Sequence, residues 1–390
     1  MSSVMLLGFF TALMTQSAIP ALSALLLEEW SLSASRLGLL MSAYFLAFGM
    51  MQVPAGAFAA HWGGRVALAG FAALALGDML LLVGQDYTTL VCARVIQGFG
   101  AAVMLPTAGA LSSRHIRMDK LGRGWSITGM GAGFGNLFAL IFLPRLAVSG
   151  GLVAAFAVML AVTGLAALVS ARLPEFLHLP LPRTAAPTPA SIARNVKTIV
   201  ASRGVAWLAL VNLAAVSFGV GVVTWTPLFS HDLAGASVSF AALLTAGYAA
   251  GQLAGAPLVG LLITRIGHEP LLIVASVGMC LCGVVVPFAT SWGPILVITV
   301  TTGVLMAASF APSFALIPRY VGQAHAALAS GVISGIAFLG ALTAPWLFGL
   351  VLDWGWGFRV GYALLSVFAT AGIVASIFLA FLRARSRPEC

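Results

Sequence analysis

The sequence predicts an all-α polytopic membrane protein, with twelve transmembrane helices arranged as two six-helix pseudo-repeats. Three observations carry that expectation. First, of 390 residues 61% are hydrophobic and only 7% charged, against roughly 25% charged residues in an ordinary soluble domain. No globular surface of this size is covered by so few charges, and the composition equally excludes collagen-like, disulfide-scaffold and disordered chains. Second, the apolar residues form continuous runs that each accommodate the roughly 20 residues of a spanning helix, not the alternating ten-residue strands of a barrel. Third, fifteen of the nineteen Lys and Arg side chains fall on the loops and tail of one side, three (Arg36, Arg145 and Arg359) on the other, and Arg94 lies within a span. By the positive-inside rule both termini are cytoplasmic. The net charge of +9 is therefore a loop property, not a nucleic-acid-binding stripe, which would interleave with aromatics.

Span one (4–26) follows Met1 directly; it is too long for a signal-peptide apolar region and lacks a basic leader. Span two (36–60) ends in a glycine-rich loop reaching Arg65, span three (66–85) carries Asp78, and span four (88–111) carries Arg94. Span five (124–144) holds Gly129, Gly131, Gly133 and Gly135, and span six (151–171) closes the first half. The gap from Arg172 to Arg203, with five prolines and five basic residues counting both ends, has linker chemistry and room for a short amphipathic helix at 190–200. The domains are thus an N-terminal half (1–172), a cytoplasmic linker (173–203) and a C-terminal half (204–390). Spans seven (205–229) and eight (237–263) carry Asn212 and Gln252; span nine (270–289) holds Cys280 and Cys282, and span ten (293–317) holds Thr301, Thr302 and Ser309. Spans eleven (327–351) and twelve (360–382) flank the loop from Asp353 to Arg359. The four cysteines match neither a disulfide framework nor a zinc spacing, and they read as small buried hydrophobes. Trp62, Trp125, Trp225, Trp292, Trp354 and Trp356 lie near span ends, where interfacial anchoring is expected.

The loop from Gly56 to Arg65 recurs from Gly260 to Glu269, 204 residues on, and Pro106 and Arg114 recur as Pro312 and Arg319. Two six-span halves related by a repeat are a pattern of secondary transporters. At this point the chain resembles the major facilitator superfamily over essentially its whole length. The family's loop signature between spans two and three, Gly-x-Leu-Ala-Asp-Arg-x-Gly-Arg-Lys/Arg, is kept at Gly56, Ala59, Gly63 and Arg65. Its carboxylate, which helps latch the inner gate in the family, is replaced by Ala60 and, in the second copy, by Thr264. The resemblance therefore implies a gate built on Gly56, Gly63, Arg65, Gly260, Arg265 and Gly267 with helix-end dipoles. The span-four signature Arg-x-x-Gln-Gly-x-Gly-Ala-Ala is unbroken from Arg94 to Ala102. The antiporter signature of span five is not: Phe134 stands where its proline falls.

Charges in hydrocarbon cost about 2.5–3.5 kcal/mol each on insertion scales, so they are paired or functional. Asp78 and Arg94 lie at similar depth, roughly 10 Å below the outer surface at about 1.5 Å per residue, and are expected to form an ion pair. Two readings stand, a static pair holding spans three and four together or a pair that substrate or a proton divides. In the family, spans one, four, seven and ten line the cavity, which favours Arg94 as substrate contact and Asp78 as its proton-linked partner. Gln97, Gln16, Asn136, Asn212 and Gln252 complete the candidate substrate and proton residues. An arginine with few polar neighbours suits a small organic anion better than a sugar. No histidine lies inside a span, and no nucleotide-binding loop, metal cluster or catalytic set is evident, so neither an enzyme nor a cofactor is expected. The expected function is secondary active transport of a small organic anion by alternating access, coupled to protons, by a monomer in the inner membrane whose other partner is lipid. Two alternatives remain: drug efflux by proton antiport, and a non-transporting receptor or assembly protein on the carrier fold.

Overall fold

A computed structural model describes residues 2–62, 64–84, 86–104, 106–107, 121–172 and 196–385. The chain is helical nearly throughout: α1 (Ser2–Ala21), α2 (Ser23–Glu29), α3 (Ala34–Trp62), α4 (Gly64–Val83), α5 (Tyr87–Ala102), α6 (Leu121–Arg172), α7 (Arg203–Asp232), α8 (Val238–Ile266), α9 (His268–Val285), α10 (Trp292–Val321), α11 (Gln323–Asp353) and α12 (Gly357–Arg385). Of the expected linker helix, residues 196–201 are helical, and Ile199 is buried among side chains of the C-terminal half; residues 173–195 fall outside the described residues.

Among the described residues nine helices are long and apolar enough to cross a membrane, or ten with α1 and α2 taken as one span bent by 55°. Pro20 sits in the last turn of α1; its missing N–H and its ring account for the bend. The described part of α5 is sixteen residues long. The remaining difference from twelve lies in α6, whose 52 residues would run about 78 Å as a straight helix, far beyond a hydrocarbon core of about 30 Å. Gly151 breaks it at φ 76° and ψ 171°. The same left-handed conformation separates α8 from α9 at Gly267 (φ 87°, ψ 175°) and α10 from α11 at Gly322 (φ 74°, ψ 163°). A single residue without Cβ thus does the work of a loop, and α6 holds spans five and six.

The two halves pack alike. In the first, α5 lies against α3 and α4, and α1 against α6; in the second, α10 lies against α8 and α9, and α7 against α11 and α12. The correspondence extends to single contacts. A Cβ at Gly98 would meet the Tyr44 carbonyl oxygen at 2.2 Å, and one at Gly303 would meet that of Tyr248 at 2.1 Å. Small residues let membrane helices touch backbone to backbone, and this pair is repeated about 204 residues apart. The halves meet through α3 with α11 and α6 with α8. Trp225 departs from its expected interfacial place: it is fully buried, stacks on Phe348 and donates its Nε1–H to the Pro345 carbonyl at 3.2 Å. An apolar ring in a helix–helix interface is as well satisfied as one at a lipid boundary, and position along the span does not separate the two. Trp62, Trp292, Trp354 and Trp356 are exposed as expected.

Candidate functional site

Arg94 and Gln97, one helical turn apart on α5, point into the N-terminal half and are fully buried with Asp78 of α4. Arg94 donates from Nη1 to the Thr15 carbonyl (2.9 Å) and to Gln97 Oε1 (2.7 Å), and from Nε to the Leu40 carbonyl (3.2 Å). Its Nη2 lies 3.8 Å from Met41 Sδ, and the guanidinium lies over the Tyr44 ring at 4.6 Å. Gln97 Nε2 donates in turn to Asp78 Oδ1 (2.8 Å), and the Thr163 hydroxyl donates to Asp78 Oδ2 (2.7 Å).

The expected ion pair is therefore not a direct one. The Gln97 amide stands between the charges, its carbonyl toward the cation and its amino group toward the anion. Gly77 makes the space: a Cβ there would sit 2.4 Å from Gln97 Cγ. A glutamine in the span-four signature, opposite a glycine beside the aspartate, is the sequence signal for this bridge. Thr163 gave no such signal; only the approach of α6 to α4 brings it in.

A second set of predicted residues converges where the halves meet. Gln16 and Ser17 of α1, Met41 of α3, Asn136 of α6, Val220 of α7 and Tyr248 of α8 are among the residues lining a central cavity of about 30 Å³. A water needs about 10–15 Å³ on this measure, so the cavity is closed to any organic substrate. Ser17 donates to Asn136 Oδ1 (2.7 Å), and Gln252 Nε2 donates to the Tyr248 hydroxyl (3.3 Å). Met41 both lines this cavity and abuts Arg94, so one side chain separates guanidinium and cavity. Sequence reasoning missed Tyr248, although it is the repeat counterpart of Tyr44. Asn212 is not part of this set. It is buried in α7, bonds its own helix at the Leu208 carbonyl (2.8 Å) and leaves Oδ1 without a partner.

The predicted gate residues that are described lie at one end of the bundle. Arg65 is exposed in the first turn of α4, Arg265 is exposed in the last turn of α8, Gly56 lies within α3, and Gly63 falls outside the described residues. Gly260 faces open space, and Gly267 forms the α8–α9 turn. Among the described residues neither arginine carries an acidic partner. Among the described residues the carboxylate at this end is Glu269, which sequence reasoning did not assign. It is buried and binds Arg319 (3.2 Å) and Arg383 (2.8 Å), tying α9, α10 and α12 together. At the opposite end Asp353, the last residue of α11, accepts hydrogen bonds from the backbone N–H groups of Ala34 (2.9 Å) and Ser35 (3.0 Å) at the start of α3. The Ser42 hydroxyl donates to the Leu342 carbonyl below them. The halves are zipped together at this end.

The family model described as Major Facilitator Superfamily matches residues 4–244 and 233–389. Monocarboxylate transporter 11 of Homo sapiens is 28% identical over 372 residues, which cover 90% of this chain and 75% of that protein. The probable L-galactonate transporter of Escherichia coli (strain K12) is 29% identical over 126 residues, 31% of this chain and 28% of that one. Among solved structures, the nucleoside transporter NupG superimposes with a TM-score of 0.76 at 12% identity, over 97% of this chain and 98% of that one. A bacterial homolog of the human lysosomal transporter Spinster, inward-facing and occupied, superimposes with a TM-score of 0.73 at 17% identity, over 98% and 96%.

Proposed function

The chain belongs to the major facilitator superfamily, and from that premise we propose that it carries a small organic anion across the membrane together with a proton. It is a multi-pass membrane transporter of small molecules, not an enzyme. The anion and the proton are the step beyond. They are supported by one observation above all: a buried cation and a buried anion are joined through a single amide, one side chain away from the cavity between the halves. The names of two relatives point the same way, since monocarboxylate and L-galactonate are both organic acids.

The charge balance supplies the coupling. Arg94 with Asp78 is neutral as a set. A carboxylate that takes the place of Gln97 Oε1 on the Arg94 fork brings a net negative charge into low dielectric, where an uncompensated charge costs several kcal/mol. A proton on Asp78 restores neutrality, and the released amide turns to accept that proton's hydrogen bond. Met41, with three soft torsions, is the side chain that moves to admit the substrate. Gln16, Asn136 and the Tyr248–Gln252 pair orient the rest of the molecule. The halves 1–172 and 204–390 rock about this site, linked by 173–203. Asp353 latches the outer end and the Arg65 and Arg265 turns flank the inner gate, in a monomer of the inner membrane with both termini cytoplasmic.

The test is uptake of labelled short-chain monocarboxylates and sugar acids into vesicles holding the purified chain, with an imposed pH gradient. Uptake is expected to follow the gradient and to collapse with a protonophore. Asp78→Asn is expected to keep anion exchange at zero gradient while losing the response to pH. Anion uptake unchanged in Arg94→Gln, or a pH response unchanged in Asp78→Asn, overturns the proposal.

A further inference from the structure

We propose that the cleft between α3 and α4 is a binding site for an anionic phospholipid, with an acyl chain lying in the cleft and the phosphate on Arg65. The cleft shares no lining residue with the cavity between the halves. α3 and α4 scarcely touch each other; both lean on α5. That leaves a cleft of about 440 Å³, bordered by Phe58 and Trp62 of α3 and Ala73 and Gly70 of α4, with Phe99 of α5 at its base and Arg65 at its end. Its floor stays open because α4 and α5 meet backbone to backbone: a Cβ at Gly70 would lie 2.8 Å from the Gly100 carbonyl oxygen, and one at Gly100 2.7 Å from that of Gly70. Phe58 and Trp62 stack at 5.3 Å along the rim and remain 37% and 49% exposed. From Arg65 to Ala73 the cleft follows α4 for about 12 Å at roughly 1.5 Å per residue.

The occupant follows from the surroundings and the charge. The cleft opens on the flank of α5 away from the inward-pointing Arg94 and runs along α4, whose stretch from Arg65 to Val83 is long and apolar enough to cross a membrane; an apolar cleft beside such a span faces lipid and takes a hydrocarbon chain. Arg65 decides the headgroup. It is exposed in the first turn of α4, where free N–H groups and the helix dipole also favour an anion, and among the described residues no carboxylate meets it. The second half shows what an internally satisfied version looks like. The repeat counterpart of Arg65, 204 residues on, is Glu269, which is buried under Arg319 and Arg383. One half closes this corner with its own ion pairs, while the other offers a cation that no described carboxylate meets, beside an open apolar cleft. On the orientation read from the loop charges, this is the cytoplasmic leaflet, where anionic lipids attract basic side chains.

Native mass spectrometry of the full chain, titrated with phosphatidylglycerol and with phosphatidylcholine of the same chains, tests this. Phosphatidylglycerol is expected to be retained about fivefold better, the preference that one basic side chain confers at about 1 kcal/mol. Arg65→Gln is expected to equalise the two lipids, Arg65→Lys to keep the preference, and Ala73→Phe, which fills the cleft, to lose both adducts. Equal retention by the native chain, a preference that survives Arg65→Gln, or adducts that survive Ala73→Phe overturn the proposal. A photoactivatable phosphatidylglycerol reads the native chain without any substitution. Cross-links on the peptides carrying Phe58, Trp62 or Phe99 support the site, and cross-links confined to other segments refute it.

Discussion

Replacing Gln97 by leucine tests the bridge between the two buried charges. The side chain is similar in volume but removes the donor and the acceptor together. Two hydrogen bonds go, Arg94 Nη1 to Oε1 at 2.7 Å and Nε2 to Asp78 Oδ1 at 2.8 Å, each to a charged group and each contributing about 1.5–3 kcal/mol. The charges are not left bare. Arg94 keeps the Thr15 and Leu40 carbonyls and the Tyr44 ring, and Asp78 keeps Thr163. The loss therefore lies near the lower end, about 3 kcal/mol for the pair of bonds. Thr163→Val removes only one bond to Asp78 and should cost about half as much. Denaturant titration of the purified chain in lipid–detergent micelles, with native chain, Gln97→Leu and Thr163→Val side by side, gives the order of the midpoints. A Gln97→Leu midpoint at or above that of Thr163→Val refutes the reasoning, because the amide would then not be holding the two charges together.

Three further outcomes are expected. Asp353→Asn weakens the seal at the end where α11 caps α3; with the site exposed to solvent the loss is about 1 kcal/mol, and the outward-open population rises about fivefold. Electron–electron distance measurements between labels on the outer ends of α3 and α11 read that population, and an unchanged distribution counts against Asp353 as a latch. Gly135→Ala drives a Cβ to 2.1 Å from the Phe10 carbonyl oxygen and should destabilise by about 1–3 kcal/mol through overpacking. Gly260→Ala, with nothing within 4 Å, should stay within about 0.5 kcal/mol, so equal unfolding midpoints for the two contradict the helix spacing described. Glu269→Ala leaves Arg319 and Arg383 without their shared acid. Because the two arginine side chains are 42% and 35% exposed, solvent screens the loss to about 1–2 kcal/mol. Faster hydrogen exchange confined to the Glu269 ends of α9, α10 and α12 is the expected readout, and uniform exchange across the chain speaks against the cluster.

Much of the architecture was open to reading from the chain alone, because the bilayer leaves a helix few alternatives. Backbone groups in hydrocarbon must bond within their own segment, so an apolar run of sufficient length has one structure, and the loop charges and the 204-residue repeat do the rest. That Asp78 and Arg94 share one level was legible for the same reason, since position along neighbouring antiparallel helices converts directly to height along the bundle. Their relation to each other was not. Whether a cation meets an anion or an amide depends on how closely α4 and α5 approach, and Gly77 sets that separation through the absence of one carbon. Trp225 is a similar case: its place in the span fits an interface with lipid or with α11, and only the packed halves select the latter.

Composition, periodicity and repetition thus determined that this protein spans a membrane as two like halves, with two buried charges at one level and basic turns at one end. Tertiary structure decided which polar groups touch. It put Gln97 between the charges, gathered Gln16, Asn136 and Tyr248 from both halves around one small cavity, gave Glu269 two arginines and left Arg65 without a carboxylate among the described residues. The division has a physical cause. Matching a segment to its solvent is a sum over many residues and survives any local detail, whereas a hydrogen bond is made or lost within a fraction of an ångström, a distance fixed only when every helix has found its neighbours.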